Sequence, residues 1–454
     1  MNYNRRVLLF VTWSTGLLLV LSVAGSYAGI GWMPFRRVNL VSDVLIAPAD
    51  SSAAEEGLPG SDPDPSMAAT PGKPRENFSL YTKPASLTDF RADTTRSSLQ
   101  GFAKKLYELK AGQKRKIRIA YFGDSMIEGD LLTQTLRELL QQLFGGQGVG
   151  FVPVTSPVAK FRQTVSTDYS DSWADDNFKE GKNPRLFLSG HSFHTTDGWV
   201  QWNDRTITPD SLIIEKSLLC GAAPGPVTVN ANGRSVTVPA GNIFNRVVLA
   251  KDQSPALRLA VADDRLPVYG VSFESESGVF VDNFSFRGIT GVEFARIDSG
   301  FLRSIANGNP YDLIVFQYGV NLLFRPNDKN FSWYEKTILP VVRKLRNCFP
   351  GSDFVIVSTA DRAFRYNGQY QSAVGIDSLV RVQASLAYRT GSVFYNQFAT
   401  MGGKNSIVDW AGRKPSLANK DYVHPNHRGA EVLAGYFFEA ILREYEKYVR
   451  TRDR

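Results

Sequence analysis

Short apolar runs alternate with amphipathic segments over most of the chain. Ile117–Phe122 has the character of a buried strand, and leucines at helical spacing follow between Leu131 and Leu143. Further strands are predicted at 279–286, 313–318, 354–357 and 393–395. Further helices are predicted at 99–109, 292–306, 333–347, 378–388 and 430–448. Because strands that alternate with helices form right-handed crossovers, the pattern predicts an α/β fold with a doubly wound, mostly parallel sheet.

Short strands and turn signals replace this rhythm between about Val165 and Ser277. Val227–Asn230 and Ser235–Val238 flank an Asn-Gly pair, which predicts a β-hairpin. Other short strands are predicted at 212–214, 247–249, 257–261 and 268–273. We therefore predict an all-β sandwich inserted at 166–278 into an α/β domain made of 99–165 and 279–454.

The N-terminal region predicts that the body of the protein lies outside the cytoplasm. Arg5 and Arg6 precede an apolar run from Val7 to Ala24, so residues 1–33 are predicted to be a signal or transmembrane segment. An uncleaved membrane anchor is favoured over a cleaved signal. Residues 34–98 are rich in Ala, Ser, Pro and acidic residues, which predicts a flexible linker.

Composition narrows the range of partners. The chain has 454 residues, 43% of them hydrophobic, and a net charge of +8. Its basic residues are scattered and its aromatic residues lie in apolar strands, so we expect no nucleic-acid partner. A basic surface would suit an anionic envelope polymer. Cys220 and Cys348 lie far apart in sequence, and no disulfide can be inferred from them.

Three predicted strands end in polar or glycine-rich turns. These turns are Gly123-Asp124-Ser125, Gly288–Gly291 and Gly319-Val320-Asn321. The carboxyl ends of parallel strands meet at the same edge of a sheet, which is where doubly wound folds place their ligands. A fourth segment, before the last helix, contains Asp421 and His424.

This set of residue types predicts acyl transfer. A serine hydroxyl needs a base to become a nucleophile, and an imidazole base needs a carboxylate to hold its tautomer. Ser125, His424 and Asp421 meet these needs. The oxyanion donors would be the Ser125 N–H, a glycine N–H from Gly288 or Gly291, and the Asn321 amide. The alternative for Ser125 is that it only caps the following helix.

These four motifs, in this order, resemble the blocks of the SGNH (GDSL-type) hydrolases over 99–165 and 279–454. The resemblance implies that Ser125 is the nucleophile rather than a helix cap, that His424 is the base and that Asp421 orients it. It also implies oxyanion donors at Asn321 and at a glycine, and its register favours Gly291 over Gly288. Leu322 departs from the pattern, since many members have Asp after the Asn.

Other polar and aromatic residues could have either a structural role or a role in the site. His427 has no Asp at the family spacing and is interpreted as a surface or capping residue, or as a minor contact of the site. Asp124 is interpreted as a hydrogen-bond partner of the turn backbone. Aromatic residues of the insert could form a sugar-stacking face or a small core: Trp173, Trp199, Trp202, His191 and His194. Trp199 and Trp202 are the candidate substrate-binding residues. We expect no metal, because the two histidines lack cysteine or acidic partners at metal-binding spacing. We also expect no cofactor.

The sequence also resembles bacterial peptidoglycan and polysaccharide O-acetylesterases in four features. These are the exported location, the β-insert, residues 123–130 and the Gly-Val-Gly-Phe-Val-Pro loop at 148–153. That resemblance implies a periplasmic or cell-surface esterase that removes O-acetyl groups from a glycan through an acyl-enzyme. Two alternatives stay open: a polysaccharide O-acetyltransferase with the same triad, and a non-catalytic tethered glycan-binding protein. The sequence does not indicate an oligomeric state.

Overall fold

The computed structural model describes Trp13 and residues 78–91, 95–180, 183–208 and 212–452, and those from 78 onward belong to one compact unit. The predicted membrane segment 1–33, apart from Trp13, and the predicted linker up to residue 77 lie outside the described residues. No helix within the described ranges has the length and apolar character needed to cross a bilayer.

The strands are β1 (Leu87–Thr88), β2 (Lys116–Gly123), β3 (Gly150–Pro153), β4 (Val165–Tyr169), β5 (Ala174–Asn177), β6 (His191–His194), β7 (Gly198–Asp204), β8 (Ile214–Gly221), β9 (Val227–Ala231), β10 (Arg234–Val238), β11 (Phe244–Asp252), β12 (Ala256–Val261), β13 (Val268–Ser275), β14 (Gly278–Ser285), β15 (Leu313–Gln317), β16 (Asp353–Val357), β17 (Ala363–Tyr366), β18 (Gln369–Ser372) and β19 (Val393–Tyr395). The α-helices are α1 (Gln100–Lys110), α2 (Leu131–Phe144), α3 (Ser299–Gly308), α4 (Ser332–Cys348), α5 (Ile376–Thr390), α6 (Gln397–Met401), α7 (Ser406–Gly412) and α8 (His427–Arg452).

The central sheet has the strand order β1-β19-β16-β15-β2-β14, and all its pairings are parallel except that of β1 with β19. Successive residues of β2 point to opposite faces, with Tyr121 toward α1, α2 and α8 and Phe122 toward α3, α4 and α5. Helices cover both faces, which explains why the strands are continuous apolar runs. The predicted mixed α/β fold with a parallel sheet is confirmed.

Two antiparallel sheets pack face to face between β2 and β14 in the sequence. One has the order β10-β9-β12-β7-β4, and the other has the order β11-β8-β13-β6-β5 with β3 paired to β13. Trp202, Phe193 and Val271 belong to their shared core. The outer face of the second sheet packs on the α/β body through Phe151 and Phe187. Strands β8 and β13 are therefore buried along nearly their whole length, including polar residues such as Glu274.

Several elements differ from the prediction in their bounds. β3 precedes the predicted insert boundary at 166, yet it pairs with β13 of the antiparallel sheet. The predicted helix 292–306 is a 3-10 turn at Val292–Arg296 followed by α3, because the Asp298 carboxylate accepts a hydrogen bond from the Phe301 N–H and starts a new helix.

The end of the segment predicted as a flexible linker packs on the body. Phe78 and Phe90 are buried in the main core, and β1 extends the central sheet. Burial of these apolar side chains orders residues that their polar neighbours alone would leave flexible.

A buried ion cluster joins the central sheet to the second antiparallel sheet, the one that contains β13. Glu274 on β13 accepts hydrogen bonds of 2.8 and 2.7 Å from the Arg118 guanidinium on β2. Arg246 Nη2 lies 2.8 Å and Lys116 Nζ lies 3.1 Å from the same carboxylate. Burial opposes ionisation of Glu274, but the two guanidiniums outweigh it and hold its pKa well below the usual range.

We predict that Glu274→Gln lowers the free energy of unfolding by about 3–5 kcal/mol, because the buried Arg118 loses its carboxylate partner and the partly buried Arg246 and Lys116 keep only Glu215. The measurement is chemical denaturation at pH 7. Glu276→Gln is the matched control, two residues further along the chain, where an exposed Glu276 pairs with an exposed Lys114. Equal midpoints for wild type and Glu274→Gln would contradict the stabilising role of the cluster.

Candidate active site

Ser125 lies in the turn that follows β2 at the carboxyl edge of the central sheet. The buried Asp124 carboxylate accepts a hydrogen bond of 3.0 Å from the Met126 N–H, which confirms the interpretation that Asp124 holds the turn backbone. α2 begins only at Leu131, after a 3-10 turn at Glu128–Asp130. Ser125 therefore does not cap that helix, and its side chain is available for another role.

A chain of hydrogen bonds links Ser125 to the C-terminal loop. Ser125 Oγ lies 2.8 Å from His424 Nε2, although the two residues are 299 positions apart. His424 Nδ1 lies 2.7 Å from Asp421 Oδ2. Since an ionised carboxylate only accepts, Nδ1 carries the proton and a neutral imidazole has a free lone pair at Nε2 for the Ser125 hydroxyl.

The surroundings of Asp421 favour its ionised form. Burial opposes ionisation, but the hydrogen bond from the His424 side chain and those from the backbone N–H groups of Val423 and His424 outweigh it and lower the pKa of Asp421. The two backbone donors lie 2.9 and 3.1 Å from Asp421 Oδ1. The carboxylate thus has one oxygen for the backbone and one for the imidazole.

The loop between Asp421 and His424 has an unusual backbone. Tyr422 adopts φ +57°, which is rare for a bulky residue. Its carbonyl accepts a hydrogen bond of 3.0 Å from the Ala363 N–H, and its ring stacks on Tyr370 with 4.0 Å between centroids. The β17–β18 hairpin therefore supports the loop that positions His424.

The start of α8 separates His427 from this chain of hydrogen bonds. His427 is the first residue of α8 and is exposed. Asn426 satisfies the helix terminus, because its side-chain oxygen accepts a hydrogen bond of 3.1 Å from the Gly429 N–H. His427 is thus a surface residue rather than the cap.

Asn321 lies beside the Ser125 turn. Its side-chain nitrogen donates to Asp124 Oδ2 at 3.1 Å and to the Ile289 carbonyl at 2.9 Å. Burial raises the pKa of Asp124 to about 7, although hydrogen bonds from the Met126 and Asp124 N–H groups partly counteract it. Both amide hydrogens of Asn321 are engaged in this arrangement, and its role as an oxyanion donor stays a prediction.

The turn that contains Gly288 and Gly291 contacts Asn321 through the Ile289 carbonyl. Gly291 is buried with φ +89°, and a Cβ there would lie 2.6 Å from Phe316 Cζ. Gly288 is exposed with φ +83°, and a Cβ there would meet nothing closer than Lys179 Nζ at 3.6 Å. Close packing therefore requires glycine at 291, while the oxyanion role of either glycine stays a prediction.

The two candidate tryptophans of the insert have different surroundings. Trp202 is completely buried and its indole donates to the Pro153 carbonyl at 2.9 Å, so the prediction that it binds substrate is wrong. It points inward because residues of β7 alternate between the two faces of the sheet. Trp199 is half-buried, and the Arg258 guanidinium covers one face of its ring at 4.0 Å.

Metal and redox sites are not evident in the described part of the chain. Cys220 and Cys348 are both buried and free. Within the described ranges, no group of three or more His, Cys, Asp or Glu side chains is arranged to hold a metal ion.

The sequence did not point to two residues that connect the loops of the site. Tyr370 supports the Asp421–His424 loop through its stacking contact with Tyr422. Arg362 Nη1 donates a hydrogen bond of 2.8 Å to the Val320 carbonyl, next to Asn321. The only available signal was the Asn367-Gly368 pair, which predicts the hairpin turn but not its contacts.

Comparison with known proteins gives a match at the level of structure. No protein-family model and no curated protein matches the sequence. A solved structure described as a peptidoglycan O-acetylesterase aligns with 79% of this chain and 99% of its own, at 20% identity and a TM-score of 0.68. A family two carbohydrate esterase from Cellvibrio japonicus aligns with 62% of this chain and 99% of its own, at 11% identity. Its TM-score of 0.26 is too low to support a conclusion.

The first alignment covers nearly all of the matched structure, and at this level of identity it establishes the fold. The resemblance seen in the four sequence motifs agrees with it. This chain has the SGNH-hydrolase fold.

Proposed function

We propose that the protein is a serine esterase that removes O-acetyl groups from an envelope polysaccharide, with peptidoglycan as the favoured substrate. The observation that supports this proposal most directly is the hydrogen-bonded chain Ser125–His424–Asp421. A hydroxyl, an imidazole and a carboxylate in this order are the groups that activate a serine toward an ester carbonyl. The fold shared with a structure described as a peptidoglycan O-acetylesterase supports the choice of substrate.

The first half of the proposed reaction forms an acyl-enzyme. Ser125 Oγ attacks the acetyl carbonyl carbon while His424 Nε2 takes the hydroxyl proton. Asp421 keeps the imidazole in the required tautomer and stabilises the imidazolium. The proton then passes from Nε2 to the sugar oxygen as the bond between that oxygen and the acetyl carbon breaks.

The second half restores the enzyme. A water molecule gives a proton to His424 Nε2 and attacks the acyl carbon, the bond to Ser125 Oγ breaks, and Oγ regains the proton as acetate leaves. In both halves the oxyanion would accept hydrogen bonds from the Ser125 N–H, from the Asn321 amide and from a glycine N–H, with Gly291 favoured. Asn321 would then exchange one of its present acceptors for the oxyanion.

The proposed location is outside the cytoplasm. The basic flank and apolar run of residues 1–33 support membrane anchoring through that segment, with the body in the periplasm or at the cell surface. An acetylated cell-wall glycan is available there.

We predict that Ser125→Ala lowers kcat for 4-nitrophenyl acetate and for acetate release from O-acetylated peptidoglycan by at least about 10³-fold, because the acyl-enzyme cannot form. Acetate is quantified by proton NMR. Ser254→Ala, in an exposed loop of the insert, is the control and keeps wild-type rates. Equal turnover by wild type and Ser125→Ala would overturn the proposed function.

We predict that Asp421→Asn lowers kcat by about 10³- to 10⁴-fold with little change in KM, because an amide no longer holds Nδ1 in the protonated tautomer. Steady-state kinetics with 4-nitrophenyl acetate measures both constants. Asp377→Asn provides the comparison, since Asp377, on α5, forms an exposed ion pair with Lys404. A wild-type kcat for Asp421→Asn would show that His424 does not depend on this carboxylate.

A further inference from the structure

A cavity of about 330 Å³ lies between the antiparallel sheets and the loops beside Ser125. Its wall includes Glu128, which begins the 3-10 turn three residues after Ser125, and Arg287, which begins the turn that ends at Gly291. Glu128 and Arg287 form an ion pair with each other. The volume is at the lower end of the range for small-ligand pockets, about 300–1,000 Å³, and suits a single ring rather than a long chain.

His191 presents a fixed polar group to this cavity. Its Nδ1 lies 2.9 and 3.0 Å from the two carboxylate oxygens of Asp175. Its ring stacks on Phe286 and Phe193, with centroid distances of 4.8 and 5.5 Å. Because an ionised carboxylate accepts, Nδ1 carries a proton, and in the neutral ring Nε2 is an acceptor. No hydrogen-bond partner for Nε2 occurs among the described residues.

The turn before His191 contributes a second polar group. Ser189 is a lining residue of the same cavity, and its hydroxyl is buried without a hydrogen-bond partner within the described part of the chain. Gly190 joins the two residues with φ +80°, and a Cβ there would lie 2.3 Å from the Phe178 ring. The turn is therefore held tightly, and an unpaired buried hydroxyl at this place is a reason to expect a ligand.

The charges around the cavity favour an uncharged ligand. Asp130 pairs with Arg137 and Arg162, and Asp175 with His191. Lys179 and Glu180, of opposite sign, are adjacent in its wall. An anionic or cationic ligand would find no excess of counter-charge, whereas a ring with several hydroxyl groups would match the acceptor of His191.

We infer that this cavity binds an uncharged sugar ring of the O-acetylated glycan, with His191 Nε2 accepting a hydrogen bond from a sugar hydroxyl. The inference rests on the proposed function for the identity of the ligand. Asp175 is a positioning residue, since it holds the His191 tautomer. The sugar-binding contribution of the insert thus comes from His191 rather than from Trp202.

The first test compares two substrates in His191→Phe, which keeps the stacking ring and removes the acceptor. The ratio of kcat/KM for acetate release from soluble O-acetylated peptidoglycan fragments to kcat/KM for 4-nitrophenyl acetate falls by about 10- to 100-fold, as expected for a lost hydrogen bond to a substrate hydroxyl. His194→Phe is the matched control at the other end of β6, outside the cavity wall, and leaves the ratio unchanged. An unchanged ratio in His191→Phe overturns the inference.

The second test separates the cavity from the chemistry. Binding of the same fragments is measured by calorimetry in Ser125→Ala, alone and combined with His191→Phe or His194→Phe. Binding that weakens at least tenfold only with His191→Phe supports the cavity, even if Ser125→Ala and wild type release acetate equally and the proposed function fails. Absence of binding to Ser125→Ala, or equal affinity in all three proteins, overturns the inference.

Discussion

The hydrogen bond between Ser125 and His424 is the constraint on which the site depends, because it joins loops from opposite ends of the folded chain. Each loop leads into a helix, α2 after Ser125 and α8 after His424. The two helices pack in the same core, where the rings of Phe144 and Tyr445 meet edge to face at 5.1 Å. Any change that separates α2 from α8 would therefore also lengthen the distance from Oγ to Nε2.

The local supports of the two loops differ in kind. Asp124 holds the Ser125 turn from within and contacts Asn321, so that two strand ends are joined by buried polar contacts. The Asp421–His424 loop is instead held from outside, by the β17–β18 hairpin and the stacked ring of Tyr370. Tyr422 adopts a backbone conformation that costs free energy, and these contacts offset that cost. The position of the imidazole is thus a product of tertiary contacts.

The antiparallel sheets are part of the same folded unit as the α/β body. The buried Glu274 cluster and the aromatic contacts of Phe151 and Phe187 attach them to the central sheet. Such a junction fixes the wall that carries His191 relative to the turn that carries Ser125. The proposed sugar cavity and the proposed nucleophile would therefore keep a fixed separation.

Local patterns predicted the parts of the structure that depend on near neighbours. The sequence predicted the parallel strands, the Asn232-Gly233 hairpin and the pairing of Asp421 with His424. Each of these follows from short-range periodicity, from a turn or from close spacing in the chain. The chemical needs of a serine nucleophile grouped Ser125 with His424 and Asp421, and the resemblance to a known family then favoured Ser125 as nucleophile over helix cap.

Features that depend on distant contacts could not be predicted in this way. The burial of Trp202, the pairing of β3 with β13 and the contact between Asp175 and His191 all arise when remote segments meet. A tryptophan in an alternating strand has the same local pattern on either face of a sheet, and only the partner sheet decides which face is buried.

Labelling with a serine-directed fluorophosphonate, followed by peptide mapping with mass spectrometry, tests the central claim most directly. The chain of hydrogen bonds predicts a single adduct on the peptide that contains Ser125, and loss of that adduct in His424→Ala. An adduct on another serine, or equal labelling of wild type and His424→Ala, would contradict the claim that His424 activates Ser125.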